Sequence, residues 1–283
     1  MTAEPYRLAM PRARTTSAVF ASPHSGRAYA PAFLARSPLG WAEIRSSEDA
    51  FVDELFAAAP ACGAPLLAAE APRAYIDVNR GCDELDPALV EGVRRAAHNP
   101  RVASGLGVIP RVVAGGRAIY SGKIPLAEAQ ARLEAYWHPW HDALARLLAQ
   151  SHAAFGEAIL IDCHSMPHEA IEAGARGGRP EVVLGDRFGA AASAEVVERI
   201  EAAFAAAGLR VARNAPFAGA YVTQAYGRPS RRQHAVQIEI DRSLYMDEAR
   251  VERRADFGAM RALIGGVVAD ICGIGRRMPL AAE

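Results

Sequence analysis

The sequence predicts an α/β fold, a single domain built on a mixed, mostly parallel sheet flanked by helices. Three observations predict it. Short apolar β-type runs alternate with longer helical patterns along the chain. Several of these runs are apolar throughout, as strands covered on both faces are. No linker and no internal repeat divides two hydrophobic cores, so residues 1–283 read as one domain.

Taken in order, Ala18–Ser22, Pro65–Ala69, Ala74–Val78 and Val108–Val113 read as strands of the first half. Ala158–Cys163, Glu181–Leu184, Leu209–Ala212 and Ala235–Ile240 follow in the second. Helical patterns occupy Asp49–Ala59, Asp86–Ala97, Leu126–Ala154, Gly189–Ala207 and Asp247–Cys272. In the fourth, Val196, Val197, Ile200 and Phe204 recur at helical spacing and define one apolar face. Pro139 bends the third, because proline lacks a backbone donor and clashes with the preceding turn. The last pattern reads as a terminal helix laid against the sheet. The loop Pro167–Pro180, with Gly174, Gly177 and Gly178, is longer than a compact domain needs for a connection alone.

Composition narrows the function classes. Lys and Arg total 32 and Asp and Glu total 32, so the chain carries no net formal charge. That speaks against a nucleic-acid partner engaged through a strong basic footprint. Hydrophobic residues make up 51% and charged residues 23%, which is a globular and not a disordered balance. No apolar run reads as a membrane span, and the N-terminus lacks the order of a signal peptide, so a soluble, cytoplasmic protein is expected. Cys62, Cys82, Cys163 and Cys272 are scattered without a C-x-x-C pair, which favours neither a disulfide framework nor a cysteine metal site.

In open α/β sheets, ligands bind beyond the carboxyl ends of the strands. Polar residues that end apolar runs are therefore the first candidates: His24 in VFASPHSG, His164 in ILIDCHS, Asp186 in VVLGD and Glu239 in VQIEI. Two histidines at two strand ends, with carboxylates nearby, can build a three-ligand site of the kind catalytic zinc uses. A single strand-end histidine is otherwise an ordinary satisfied polar residue. The small neighbours of His24 suit close approach of a bound group. Asp162, two residues before His164, suits the role of orienting a metal-bound imidazole, or else caps a neighbouring loop.

The carboxylate ligand is not settled by the residues alone. Glu48 and Asp49 both stand at the expected helix start, where acids also serve simply to complement the helix dipole. In YIDVNR, Arg80 can fork onto a carboxylate or polarise a carbonyl, and Asn79 can add a directional amide. Arg80 can equally be a solvated arginine at a strand end. Glu239 alternates with Ile238 and Ile240, so it faces away from them and suits a general base beside an activated water, or a salt bridge on the polar face. His138 and His141 are spaced for ligation on a helix, but Pro139, Trp137 and Trp140 favour packing there. G-x-S-x-G and phosphate-loop patterns are both missing, which weakens serine hydrolase and phosphoryl-transfer readings.

The ordered series SPHSG, SEDAFVDELF, YIDVNR, IDCHSMP, RPEVVLGDRFG, APFAGAYVTQAYGRPS and HAVQIEIDRSLYMDE resembles the N-formylglutamate amidohydrolase family from about Ser22 to Glu248. The resemblance implies a fold of the zinc carboxypeptidase and aspartoacylase type, the phosphorylase/hydrolase-like class. It implies Zn2+ held by His24, Asp49 and His164, with another divalent metal as an alternative. It also implies Asn79 and Arg80 for substrate and Glu239 as base. Arg27 stands where the broader group has a glutamate ligand, and Asp49 rather than Glu48 matches this family's carboxylate. The activity implied is hydrolysis of N-formyl-L-glutamate, a step of histidine breakdown, with another N-acyl amino acid or small amide as substrate, or a catalytically silent carboxylate-binding protein, as alternatives. A doubly carboxylated substrate calls for guanidinium forks. Besides Arg80 the expected contributors are Arg73, Arg111, Arg179 and Arg213, with Tyr221 and Thr223 adding hydrogen bonds. The expected partner is a small N-acyl amino acid, with no nucleic acid and no membrane, and the oligomeric state is left open.

Overall fold

The computed structural model describes residues 4–94, 99–171 and 178–276. Its strands are β1 (Tyr6–Ala9), β2 (Ala18–Ser22), β3 (Leu66–Ala69), β4 (Ala158–Met166), β5 (Val182–Gly185), β6 (Val211–Arg213) and β7 (Gln233–Asp241), followed by a hairpin of β8 (Met246–Asp247) and β9 (Glu252–Arg253). The helices are α1 (Pro31–Leu34), α2 (Trp41–Ile44), α3 (Val52–Leu55), α4 (Pro100–Ala103), α5 (Leu126–Arg132), α6 (His138–Phe155), α7 (Ala194–Ala206), α8 (Tyr221–Tyr226) and α9 (Phe257–Ile274).

Seven strands form one sheet in the order β1-β3-β2-β4-β7-β5-β6. The pairs β2–β3, β2–β4, β4–β7 and β5–β6 are parallel, and β1–β3 and β5–β7 are antiparallel, so the sheet is mixed and mostly parallel. The two-residue strand period sorts side chains onto two faces. Ile159, Ile161 and Cys163 of β4 join Val236, Ile238 and Ile240 of β7 in a core covered by α3, α7 and α9. Ala158 and Leu160 point the other way, into a second core with α5, α6 and the loops between β3 and α5. Asp162, His164, Gln237 and Glu239 continue that second stripe toward the carboxyl ends, where the apolar cover stops.

Several expectations are corrected. Ala74–Val78 is not a strand: Tyr75 and Ile76 donate back to the Pro72 carbonyl in a turn, while Ala74, Ile76 and Val78 still bury in the second core. Apolar alternation reports burial, and a turn buries side chains as well as a strand does. Val108–Val113 contributes only an isolated bridge at Val112, since Pro110 cannot donate to a ladder. Asp86–Val93 is a run of turns, with Gly92 at φ 74°, and Ala96 and Ala97 lie outside the described residues. The helix expected at Asp49 begins only at Val52, because Phe51 takes a left-handed φ of 66°. Between α5 and α6 the helix passes through a π-helical turn, Leu133–Trp137, just before Pro139, and this looser turn accommodates the missing proline donor without ending the helix. The span Asp247–Cys272 divides into the β8–β9 hairpin and α9. The edge strand β1 was not expected.

One helix among the described residues, α9, has the length and apolarity of a membrane-crossing segment, with mean hydropathy 1.6. It buries Met260, Ile264, Val267, Val268 and Ile271 against the sheet and α7, as a core helix does. Gly174 and Gly177 of the long loop lie outside the described residues.

Gly26 in SPHSG serves backbone packing: a Cβ there would stand 2.1 Å from the Ala71 carbonyl oxygen. The space that the small residue opens is filled by the chain after β3, not by a ligand. Gly26→Ala is expected to lose about 1–3 kcal/mol of stability, read as a lower midpoint in chemical denaturation; an unchanged midpoint would show that the two segments separate freely.

Candidate active site

The central strands β2, β4 and β7 lie side by side, and their carboxyl ends open into a cavity of about 510 Å³. That is within the usual size of small-molecule sites. Register does much of the placement: His164 on β4 pairs directly with Glu239 on β7, and Ala21 on β2 with Asp162. His24 follows two residues beyond β2, and Asp49 arrives from the loop before α3, its N–H donating to the His24 carbonyl.

His24, Asp49 and His164 are buried together, and one donor atom from each lies within 4.8 Å of the others. Asp49 Oδ2 stands 2.9 Å from His164 Nδ1 and 3.3 Å from His24 Nδ1. The other imidazole nitrogens face outward. His24 Nε2 bonds Asp77 Oδ1 at 2.7 Å, and His164 Nε2 lies 3.0 Å from Asp162 Oδ1 and 3.1 Å from Asn79 Nδ2. A hydrogen bond to Asp77 orients the His24 ring, whereas at His164 Nε2 the aligned partner is Asn79 with Asp162 in ion-pair contact, and both rings turn Nδ1 inward. His24 Nδ1 is fully buried yet makes no well-aligned hydrogen bond. Two inward nitrogens and a carboxylate oxygen, one of them unsatisfied, make a donor set that could hold a metal ion, and the chemistry of that set suits zinc.

Glu48 and Asp49 face different ways. Glu48 turns away, accepting from Tyr29 Oη at 2.5 Å and from Arg45 Nη2 at 3.0 Å. Arg27 also points outward, 40% exposed, to Asp53 and Glu54. Asp49 is locked by two further donors, Arg242 Nη2 at 2.9 Å and Ser165 Oγ at 3.3 Å. Burial works against its charge, but the two imidazoles outweigh it and hold the carboxyl well below its ordinary range. Burial likewise opposes a charge on His164, and the Asp162 and Asp49 carboxylates hold its pKa well above the ordinary 6.5.

Glu239 is 7% exposed. Gln237 fixes it: Gln237 Oε1 accepts from Ala220 N, and Nε2 donates to Glu239 Oε1 at 2.8 Å. Oε2 has no protein partner among the described residues. Burial raises the Glu239 pKa from 4.5 to about 7, against His164, which lowers it, and together with Asp49, which raises it.

The lining brings Arg73, Arg80, Arg101 and Arg242 together with Asp49, Asp77 and Glu239, so four guanidiniums face three carboxylates. Arg73 Nε donates to Asp77 Oδ2 at 3.1 Å, and Arg80 donates to the carbonyls of Leu106 and Asn79. Asn79 is structural as well as cavity-lining: its Oδ1 accepts from Val222 N at the start of α8. Other residues expected at the site stand outside the lining. Arg111 pairs with Asp86 at 2.8 Å, Arg213 with Glu201, and Arg179 Nη1 lies 3.1 Å from His168 Nε2. Thr223 Oγ1 donates to the Ala220 carbonyl, and Tyr221 packs on Trp137 and His141. Asp186 caps its own loop by accepting from Gly189 N and Asn214 Nδ2. His141 is buried against Trp137 and bonds the Val78 carbonyl, apart from half-buried His138.

Sequence reasoning missed Asp77, Arg101, Gln237 and Arg242. Gln237 was within reach of it, since it shares the strand face of Glu239 two residues on. For Arg242, two residues past the strand's last isoleucine, the only signal was proximity to that same strand end.

The profile of the N-formylglutamate amidohydrolase family matches residues 16–246. The N-formylglutamate deformylase of Pseudomonas aeruginosa is 33% identical over 264 residues, which cover 90% of this chain and 92% of that protein. That of Pseudomonas putida is 33% identical over 215 residues, or 73% and 74% of the two chains. Among solved structures, an N-formylglutamate amidohydrolase from Ralstonia eutropha JMP134 matches with a TM-score of 0.90 at 34% identity, covering 96% of this chain and 99% of that one. A gene product of Agrobacterium tumefaciens shares the fold at a TM-score of 0.63 and 18% identity, over 95% and 96% of the two chains. With a profile match over most of its length and relatives a third identical almost end to end, the chain belongs to the N-formylglutamate amidohydrolase family.

Proposed function

We propose that the chain hydrolyses N-formyl-L-glutamate to formate and L-glutamate as a zinc-dependent amidohydrolase. One observation carries the reading: a cluster of two histidines and an aspartate shares a cavity with a buried glutamate that keeps one oxygen free. The deformylase relatives supply the substrate, and the excess of guanidiniums over carboxylates suits a dianion.

His24, Asp49 and His164 would hold the metal. When bound, zinc supplies a Lewis acid that brings the pKa of a water toward about 7. Glu239 Oε2 takes a proton from the attacking water and returns it to the amide nitrogen as the C–N bond breaks, so one water is consumed and formate and the free amine leave. Arg80, immobilised by two backbone carbonyls, offers positive charge to the carbonyl oxygen as it becomes an oxyanion. Arg73, tied at Nε to Asp77, keeps its terminal nitrogens for a substrate carboxylate. A cytoplasmic enzyme with this activity fits the role in histidine breakdown that the family resemblance implies.

The direct test is formate release from N-formyl-L-glutamate, with acetate release from N-acetyl-L-glutamate alongside. Release from the formyl compound supports the reading, and turnover of the acetyl compound alone overturns the substrate. Chelation should abolish activity and added Zn2+ restore it; activity that survives exhaustive chelation refutes the metal requirement.

Glu239→Gln should keep metal and lower kcat by about 10²–10⁴-fold, and near-normal turnover removes Glu239 as base. The base must be unprotonated, so kcat/KM rises with pH through the folded pKa of Glu239 and is lost below it. Burial places that limb above 4.5 and toward 7, and a bound dication draws it back down between those values. The limb should vanish from the residual activity of Glu239→Gln.

Asp77→Asn, which weakens the hold on His24, should cost about 10–100-fold in metal affinity or activity. Zinc titration against a competing chelator measures it, and unchanged affinity with unchanged activity would deny Asp77 that role.

A further inference from the structure

We infer that Arg101 selects an acidic side chain, binding the side-chain carboxylate of the substrate at the outer end of the cavity. This rests on the amidohydrolase reading above and names the residue that sets its substrate class.

The argument begins with how the four cavity guanidiniums are occupied. Arg242 is spent on Asp49 Oδ1, Ser165 Oγ and the Ser46 carbonyl. Arg73 is tied to Asp77, and Arg80 to the carbonyls of Leu106 and Asn79. Arg101 alone has no protein acceptor for its side chain among the described residues, and it is exposed where it lines the cavity. Its backbone, by contrast, is fixed. Asn99 Oδ1 accepts from Arg101 N at 3.0 Å to cap α4, and the Arg101 carbonyl accepts from Leu106 N at 2.8 Å. The Leu106 carbonyl in turn holds Arg80 Nε, so one short segment positions both guanidiniums.

Charge points the same way. The positive charges of Arg73 and Arg101 both act against that of Arg80, while Asp77 and, more weakly, Glu84 are the acids that favour it. Asp77 already serves His24 and Arg73. This end of the cavity therefore carries uncompensated positive charge that an incoming carboxylate neutralises.

Substrate chemistry then assigns the carboxylates. The scissile amide must lie near His24, Asp49, His164 and Glu239. The α-carboxylate hangs on the carbon bonded to the amide nitrogen and so stays close to the buried, inward guanidiniums. The side-chain carboxylate ends a flexible chain and reaches the rim, where Arg101 is the free fork. Because Arg101 is exposed, solvent screens the pair and the effect is moderate.

The test compares wild type with Arg101→Gln and Arg101→Lys on N-formyl-L-glutamate and on its neutral analogue N-formyl-L-glutamine. Arg101→Gln is expected to raise KM for the acidic substrate by about three- to fivefold, with kcat within about twofold and the neutral substrate unaffected. Arg101→Lys, which keeps charge without the fork, should fall between. Equal losses on both substrates, or an unchanged preference, overturn the inference.

If wild type turns over neither compound, the proposed function fails and the inference is read by binding alone. Calorimetry then compares L-glutamate with L-glutamine, and a preference for glutamate that disappears in Arg101→Gln upholds the role. No preference in wild type, or one that persists in the variant, rejects it.

Discussion

The site depends on one buried carboxylate. Asp49 is 1% exposed, and its two oxygens are met by His24, His164, Ser165 and Arg242. These partners come from the loop after β2, from β4 and from the end of β7. A buried charge stripped of partners costs several kcal/mol, so each of these segments is constrained to arrive where Asp49 needs it. The constraint that holds the strand ends together is the same one that gathers donor atoms around a single point.

From that point the order spreads outward through the imidazoles. Each ring has its Nε2 facing a carboxylate, Asp77 for His24 and Asp162 for His164, and each turns Nδ1 inward. Asp77 also receives Arg73, so the charge that orients a histidine aligns a guanidinium of the cavity wall. Asn79 links His164 to the start of α8. The chemistry and the scaffold share these hydrogen bonds. Disturbing Asp77 or Asn79 therefore touches reactivity and local order together.

Beside His164 on the adjacent strand, the opposite arrangement serves Glu239. It shares the cavity with the cluster, and Gln237 occupies only one of its oxygens. Burial, outweighing the lowering by His164, Arg73 and Arg242, raises its pKa to about 7, a value suited to a base near neutral pH. Asp49 and Glu239 thus diverge, one held ionised by imidazoles and the other left basic by desolvation.

The sequence by itself determined the α/β class, the central strands and the polar residues at their carboxyl ends. It could do so because strand periodicity is local: His164 stands two residues from Asp162, and Glu239 two from Gln237, so each pair must share a face. Local pattern misled at Ala74–Val78, where alternation signals burial and a turn meets the same demand. Only the tertiary structure placed Asp49, and not Glu48, beside the two histidines, since the two are adjacent in the chain but face different neighbours. Only it revealed Asp77 and Arg242 as partners, and separated arginines paired away from the cavity, such as Arg111 and Arg213, from those that line it. Ion pairing joins residues far apart in sequence through long side chains, and no local periodicity encodes which acceptor a guanidinium will meet.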